Sequence, residues 1–564
     1  MKLVIVGGVA GGASAAARAR RLSEDAEIIM FERGEAPSFA NCGLPYYLGG
    51  VIEKRRRLLV ARRENLEGWY RLDIRTRQEV TAIDRQAKKV RVRNLESGEE
   101  YEETYDKLIL APGAKPFRPP IPGIDLPGVY SLRNLEDVDR LHEVVTGGAR
   151  KAVVVGAGFI GLEVAENLVH RKIETHVVEL QPQVLPPWDR EMTLPIAQAL
   201  EENGVRLWLG DSVVSIQRKP YGNQLEVELK SGERLTADFV VMAVGVRPES
   251  ELAKEAGLEL GINGTIRVDV HMRTSDPDIY AVGDVVEVVH VVSGKPIHLP
   301  LAGPANRQGR IAADHIFGRD SQFRGVQGTA IVGVFGKQIA ATGLSEKLLR
   351  QLEMTYEKVY VHPYSHSTYY PGAQQMSLKL LFDPQDGRIL GAQAVGGEGV
   401  DKRIDVLAMA IQAGMTVFDL EESELAYAPP FGSAKDPVNM AGFVAANVIR
   451  GDQPVFHVEQ LTDPLPSDLF ILDVRTEREF ATGSVPGAVH IPLHELRQRL
   501  SELPRDKRIV VVCNVGFRAY LATRILLQNG FDAANLSGGY TSYVQMRGPY
   551  PGLEEMRSVQ SWHS

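Results

Sequence analysis

Leu3-Val4-Ile5-Val6 is a short aliphatic run, and the glycine-rich stretch Gly7-Gly8-Val9-Ala10-Gly11-Gly12 follows it directly. A continuous apolar run ended by glycines predicts a buried strand and a tight turn. The alanine-rich segment Ala13 to Leu22 predicts a helix. Glu27 to Phe31 predicts a second strand, closed by Glu32. The same grammar returns later: strand Lys151 to Val155, loop Gly156-Ala157-Gly158-Phe159-Ile160-Gly161, helix Leu162 to His170, and strand Thr175 to Val178 closed by Glu179. Strand, glycine loop, helix and strand with a terminal acid is the βαβ unit of a dinucleotide-binding domain. Two copies predict two nucleotide sites on one chain.

Between the copies lie strand-rich segments punctuated by Ala111-Pro112-Gly113 and Ile121-Pro122-Gly123. After residue 244 the pattern returns to the first domain, through Thr274 to Asp284. A mixed α+β stretch follows from 326 to 450. Residues 451–467, with Pro454, Pro464, Pro466 and polar neighbours, predict a linker. The remainder starts afresh with alternating strands and helices.

Composition narrows the function. The chain has 564 residues, 44% of them hydrophobic and 24% charged, with a formal net charge of −8. That balance argues against nucleic acid or an anionic membrane as a partner. No apolar run reaches the roughly 18 residues of a membrane span. The N-terminal apolar run is too short for an export signal, so a cytoplasmic protein is expected.

The candidate chemistry is concentrated in the loops. In the second loop, pyrophosphate is expected at the helix N-terminus, beside Gly156, Gly158 and Gly161. Glu179 would accept from a ribose 2′-hydroxyl and repel a 2′-phosphate. Leu180-Gln181-Pro182 offers no arginine to hold one, so NADH is expected over NADPH. The first loop has Val9 where the middle glycine belongs, a cost to close approach unless the backbone shifts. Glu32 and the late Gly283-Asp284 after a strand, suited to a flavin's ribityl and phosphate, favour a nucleotide there too.

The chain has two cysteines, Cys42 and Cys513, too few for a disulfide framework or a cysteine-rich metal site. Cys42 lies in Ser38-Phe39-Ala40-Asn41-Cys42-Gly43-Leu44-Pro45-Tyr46. A helix starting there would lower its thiol pKa. Glutathione-reductase-like enzymes carry a second cysteine five residues on, where this chain has Tyr47. Cys42 must therefore exchange with an outside thiol or oxidise to a sulfenic acid. Cys513-Asn514-Val515-Gly516-Phe517-Arg518 follows the strand Ile509 to Val512 and leads into a helix. That spacing predicts a cradle of backbone N–H groups around the sulfur, with Arg518 adding positive charge.

Four motifs make a family resemblance specific: the first loop with its valine, Ser38 to Tyr46, Gly396 to Arg403, and Ala426-Tyr427-Ala428-Pro429-Pro430. Residues 1–450 resemble the coenzyme A-disulfide reductase branch of the pyridine nucleotide-disulfide oxidoreductases. The whole chain resembles the form fused to a rhodanese domain, also described as NADH-dependent persulfide reductase. The resemblance implies an α/β fold: two Rossmann-like dinucleotide-binding domains, an α+β dimerisation domain and a C-terminal α/β rhodanese domain. The implied boundaries are 1–115 and 244–325 for FAD, 116–243 for NADH, 326–450 for dimerisation, 451–467 for the linker and 468–564 for rhodanese.

The resemblance further implies FAD contacts at Gly7, Gly8, Ala10, Gly11, Gly12, Glu32, Arg33, Val80, Gly113 and Asp284. The implied NADH contacts are Gly156, Gly158, Phe159, Ile160, Gly161, Glu179 and Gly245. Coenzyme A, as substrate or as a mixed disulfide on Cys42, would meet Ser14, Arg18, Arg21, Ser38, Asn41, Arg71 and Lys435. In a homodimer, Tyr369 and Tyr427 would complete the partner's site, with Tyr370 the alternative to Tyr369. The six-residue Cys513 loop resembles that of a sulfur-carrying rhodanese, although Ser484 stands where that family usually has histidine. Oxygen- and peroxide-reducing relatives place a histidine where Ala10 stands, which argues against an oxidase. The expected function is FAD- and NADH-dependent reduction of coenzyme A persulfide and disulfide. The alternatives are a plain coenzyme A-disulfide reductase with an accessory or sensing domain, and an NADH oxidase.

Overall fold

The computed structural model describes residues 1–553; residues 554–564, the end of the expected 468–564 domain, lie outside the described residues. The chain forms two compact units, one of Met1–Leu180 with Gly204–Val326, the other of Gln181–Asn203 with Gln327 to the C-terminus.

The first unit holds two five-stranded parallel sheets. One is ordered Ile279–Ala281, Lys107–Leu110, Lys2–Val6, Glu27–Glu32, Asp73–Thr76. The chain thus returns to its first sheet after residue 244. The other is ordered Arg206–Leu209, Glu174–Glu179, Lys151–Val155, Phe239–Met242, Val129–Tyr130. Central strands buried on both faces explain why the sequence reads as unbroken apolar runs rather than alternation. Both crossover helices begin earlier than their propensities predict, at Ala10 and Phe159. The last glycines of each loop already lie in the first helical turn, where tertiary packing overrides glycine's poor propensity. Helix Ala10–Leu22 lies against Ala302–Ile316 so closely that a Cβ on Gly309 would stand 2.2 Å from the Gly11 carbonyl oxygen.

In the second unit an antiparallel sheet is ordered Ala330–Val334, Lys337–Gly343, Ile389–Gly396, Ser377–Phe382, Glu357–Val361. Helices Val400–Gln412, Pro437–Arg450 and Arg190–Glu202 pack on it. A five-stranded parallel sheet follows, ordered Val455–Phe456, Ala533–Leu536, Arg508–Val512, Leu469–Asp473, Val489–His490. This corrects the linker expected at 451–467. Val455–Phe456 is an edge strand paired with Ala533–Leu536, and the prolines bracket it rather than loosen it.

Lys379 is fully buried, and its ammonium meets Asp189 at 2.8 Å, Glu191 at 2.7 Å and Glu346 at 2.6 Å. These carboxylates could gather round a metal ion, but the lysine ammonium is the cation among them. Burial opposes its charge, yet the carboxylates outweigh that and hold its pKa well above the ordinary value. Lys358 adds bonds to Glu346 at 2.8 Å and Glu459 at 2.5 Å. Lys379→Met would leave three carboxylates around an apolar side chain. It is expected to lower unfolding free energy by about 3–5 kcal/mol, read by chemical denaturation.

His362, buried at the end of the antiparallel sheet, hydrogen-bonds Ser377 Oγ at 2.9 Å and Ser542 Oγ at 2.8 Å. Ser542 belongs to helix Gly539–Arg547. Burial pulls the imidazole pKa down to about 4. Below about pH 6.5 the unfolded chain takes up this proton while the folded chain does not. Stability conferred by the neutral ring is therefore complete above pH 6.5 and falls as pH drops toward 4, by about 3 kcal/mol in all. His362→Gln is expected to flatten that slope in denaturation curves measured across the window.

Candidate active site

The two glycine loops have nearly the same geometry. Gly7 has φ +98° and Gly156 φ +105°, and a Cβ there would lie 2.1 Å from the Ala111 carbonyl oxygen or 2.3 Å from that of Ala243. A Cβ on Gly12 or Gly161 would meet the carbonyl oxygen of Gly7 or Gly156 at 1.9 and 2.0 Å. No other residue fits these four positions, which seat each helix against its strand. The middle position differs. Val9 has φ −86° and Gly158 φ −80°, both open to any residue. The Val9 backbone is therefore unstrained. A Cβ on Gly158 would meet no atom within 4 Å, so this glycine leaves space beside the helix N-terminus.

The terminal acids brace these loops. Glu32 accepts from the Gly8 and Gly34 N–H groups, both at 2.8 Å, and Glu179 accepts from Ala157 N–H at 2.8 Å. Arg33 pairs with Glu249, and Val80 is buried in a neighbouring strand, Gln78–Asp84. Gly113 and Gly245 both take positive φ, +78° and +99°. Asp284 is desolvated, which pushes its pKa up. Arg133 donates to the Pro112 carbonyl, and its Nη1 lies 3.4 Å from the Glu249 carboxylate. Phe159 and Ile160 open their helix; Ile160 is exposed. Ala10 and Gly11 likewise begin theirs.

A FAD fits the first loop. Donors at a helix start and the brace of Glu32 suit a pyrophosphate-bearing ligand. NADH fits the second loop by the same donors and the open space beside Gly158.

Cys42 is exposed and lies in the single turn Asn41–Gly43, ahead of the six-residue helix Leu44–Gly49. The expected lowering of its pKa is reversed. Desolvation by the surrounding protein comes first, then the negative charges of Glu163 and Asp284, and all three push the thiol pKa up. A helix this short has little dipole to oppose them. Glu163 and Tyr46, which the sequence did not single out as candidates, lie close enough to interact with Cys42. Tyr46 donates to Glu163 at 3.1 Å. Burial raises the Glu163 pKa, and Tyr46 is pushed up to about 12 by burial and Glu163. The only sequence signal was that Glu163 falls in the opening turns of a glycine-loop helix.

The expected coenzyme A contacts divide. Ser14 donates to Asn306 at 2.5 Å and Asn41 to the Arg133 carbonyl at 3.3 Å. Ser38 takes φ +52°. Arg21 and Arg71 are exposed, and Arg20 holds Arg71 in place by donating to its carbonyl. Arg18 pairs with Asp314 at 2.6 Å. Lys435, in the second unit, is exposed. There too Tyr369 and Tyr427 hydrogen-bond through their hydroxyls at 2.6 Å, both exposed. Tyr370 instead stands edge-on to His366. Bonds from Ser367 and Tyr427 lower the Tyr369 pKa, while the bond to Tyr369 raises that of Tyr427.

Cys513 is buried at the end of its strand, and its Sγ accepts from Gly516 N–H at 3.1 Å. Helix Phe517–Gln528 begins there with no side-chain cap, so its first N–H groups face the loop. Arg518 forms a two-pronged pair with Glu479 at 2.7 and 2.6 Å. That pairing holds the Glu479 pKa at about 2, and Arg518 keeps a charge that interacts with Cys513. Ser484 donates to Asp473 at 2.5 Å, in a buried network with Arg475.

Two dinucleotide loops, a flavin-side cysteine and a sulfur cradle define a flavin-dependent oxidoreductase supplied by NADH. Residues 1–309 match the pyridine nucleotide-disulphide oxidoreductases, 329–437 their dimerisation domain and 457–546 the rhodanese-like domain. The chain belongs to the pyridine nucleotide-disulphide oxidoreductase family. It is 37% identical to coenzyme A disulfide reductase of Staphylococcus aureus over 79% of this chain and 99% of that one. Reduced CoADR-RHD of Bacillus anthracis is 47% identical with TM-score 0.94, covering 96% of this chain and 98% of that one. The NAD-dependent persulfide reductase of A. fulgidus is 41% identical with TM-score 0.89, covering 96% and 100%. A water-forming NADH oxidase of Lactobacillus brevis is more distant, at 28% identity and TM-score 0.77 over 80% of this chain and 99% of that one, and an oxidase reading is not favoured. Among the described residues no helix is long and apolar enough to cross a membrane.

Gly156→Ala, forced against the Ala243 carbonyl, is expected to destabilise the protein. Gly158→Ala is expected to keep its melting temperature but raise the KM for NADH about tenfold, by loss of roughly 1.4 kcal/mol of binding. Thermal melts and NADH titrations separate the two.

Proposed function

We propose that this chain reduces coenzyme A persulfide and coenzyme A disulfide with electrons from NADH, through Cys42, while Cys513 carries sulfane sulfur. The observation that carries the reading is Cys42 itself, a cysteine beside a flavin site with no second cysteine in its motif. Its partner sulfur has to arrive on a substrate. Its surroundings disfavour a thiolate and so favour a neutral form; a mixed disulfide with coenzyme A is neutral at that sulfur.

The step balances simply. Cys42 thiolate attacks the coenzyme A-bonded sulfur of the persulfide, the S–S bond breaks, and hydrosulfide leaves with the electron pair. A Cys42–coenzyme A disulfide remains. FAD, when bound, supplies the two-electron relay from NADH that reduces such a disulfide. The chain's own residues bind, orient and protonate: Ser14, Arg21, Ser38, Asn41, Arg71 and Lys435 hold coenzyme A. The Tyr369–Tyr427 pair, contributed across a homodimer, gives a proton to the leaving sulfur. Residues 1–115 and 244–325 bind FAD, 116–243 bind NADH, 326–450 dimerise, and the sulfur-carrying domain begins at the strand Val455–Phe456. A reducing cytoplasm suits two free thiols.

The test is NADH consumption and sulfide release with coenzyme A persulfide and coenzyme A disulfide as separate substrates. Cys42→Ser is expected to abolish both reactions. Cys513→Ser is expected to spare coenzyme A disulfide and abolish sulfide release from thiosulfate with coenzyme A. Unchanged rates in Cys513→Ser would remove the sulfur-carrying role. Intact mass of the purified protein should also show coenzyme A on Cys42.

A further inference from the structure

Directly behind the Cys513 loop, strand Ala533–Leu536 presents Asn535, almost wholly buried at 1% exposure. Its Nδ2 donates to the Gly516 carbonyl at 3.0 Å. Because a carbonyl only accepts, the amide nitrogen must face Gly516. Oδ1 is then turned the other way, buried and without a partner. A buried unpaired acceptor is costly. An apolar side chain of similar volume would fill the strand without that cost. What the amide alone provides is a fixed Gly516.

Gly516 is the pivot of the cradle. With φ +96° and ψ −24° it caps helix Phe517–Gln528. Its N–H donates to Cys513 Sγ, and its carbonyl accepts the first helical bond, from Tyr520 N–H at 2.9 Å. The peptide that carries this carbonyl also carries Phe517 N–H on its opposite side. With the carbonyl tied to Asn535 and Tyr520, Phe517 N–H points back over the helix start, the end at which Cys513 sits. The other side of the loop is pinned independently, by Tyr540 N–H to the Cys513 carbonyl at 2.7 Å and Thr541 N–H to that of Asn514 at 2.9 Å.

We propose that Asn535 is a positioning residue of the sulfur carrier: by locking the 516–517 peptide it aims the cradle's N–H donors at the sulfur on Cys513. The inference rests on the reading of Cys513 as that carrier. In the step concerned, Cys513 thiolate attacks the outer sulfur of thiosulfate. The S–S bond breaks, sulfite leaves with the electron pair, and negative charge moves to the new terminal sulfur, which the aligned donors stabilise.

The test uses the full-length flavoprotein, with thiosulfate as donor and cyanide as acceptor. Intact mass reports the fraction of Cys513 carrying an added sulfur. Asn535→Ala is expected to lower kcat per loaded site roughly tenfold, the loss of about one hydrogen bond to a charged group, and leave the KM for thiosulfate unchanged. Asn535→Asp, nearly isosteric, is expected to do the same or worse, because its carboxylate repels the Gly516 carbonyl. NADH-dependent reduction of coenzyme A disulfide should hold in both. Ser537→Ala, which removes another buried unpaired polar atom close by, should behave as wild type. Wild-type kcat in both Asn535 variants, or an equal loss in Ser537→Ala, would overturn the proposal. Failure of wild-type Cys513 to take up sulfur would instead overturn the carrier reading on which it rests.

Discussion

The N–H groups in the first turn of a helix have no partners within the helix, and this chain runs three strands directly into helices to use them. At Gly7–Ala10 and Gly156–Phe159 the turn can be made only because no Cβ stands against the neighbouring carbonyls. The donors then face open space that suits a pyrophosphate. At Cys513–Phe517 the same construction closes on a sulfur of the chain itself. One constraint, the seating of a helix start over the end of a parallel sheet, thus yields two nucleotide sites and a sulfur site.

The two cysteines sit in different settings. Around the exposed Cys42, desolvation and the carboxylates of Glu163 and Asp284 favour uncharged sulfur. Around the buried Cys513 the protein places a backbone donor, Gly516 N–H. A disulfide suits the first and a persulfide anion the second. The division of labour proposed for the two cysteines therefore rests on the different surroundings of identical side chains.

How much was legible in the sequence depended on range. The loops, their glycines and their bracing acids were readable because each lies within one βαβ unit. Val9 looked costly because the glycine pattern reserves that position for close approach of a ligand; the backbone demands glycine by its positive φ at position 7 and not at position 9. The partners of two arginines were hidden for a different reason. Arg18 finds Asp314 across the fold, and Arg518 finds Glu479, partners that no local window contains. The Cys42 field was hidden likewise, since Glu163 and Asp284 reach it from distant segments.

The segment 451–467 shows the same limit in another form. Its polar residues read as a solvated linker, but they are polar because of what they meet. His457 bonds Glu357 at 2.8 Å, and Glu459 bonds Lys358 at 2.5 Å. Lys358 shares Glu346 with Lys379, the buried lysine at the centre of the antiparallel sheet's charge network. Just past the strand Glu357–Val361, His362 hydrogen-bonds Ser542 in the helix Gly539–Arg547. A tethered domain needs flexible, self-sufficient ends, whereas this one is joined by ion pairs, one of them to the buried Lys358, whose separation would leave that ammonium short of a partner. The parallel sheet that carries Cys513 is therefore built into the antiparallel sheet beside it, and its position is set by folding rather than by the length of a linker.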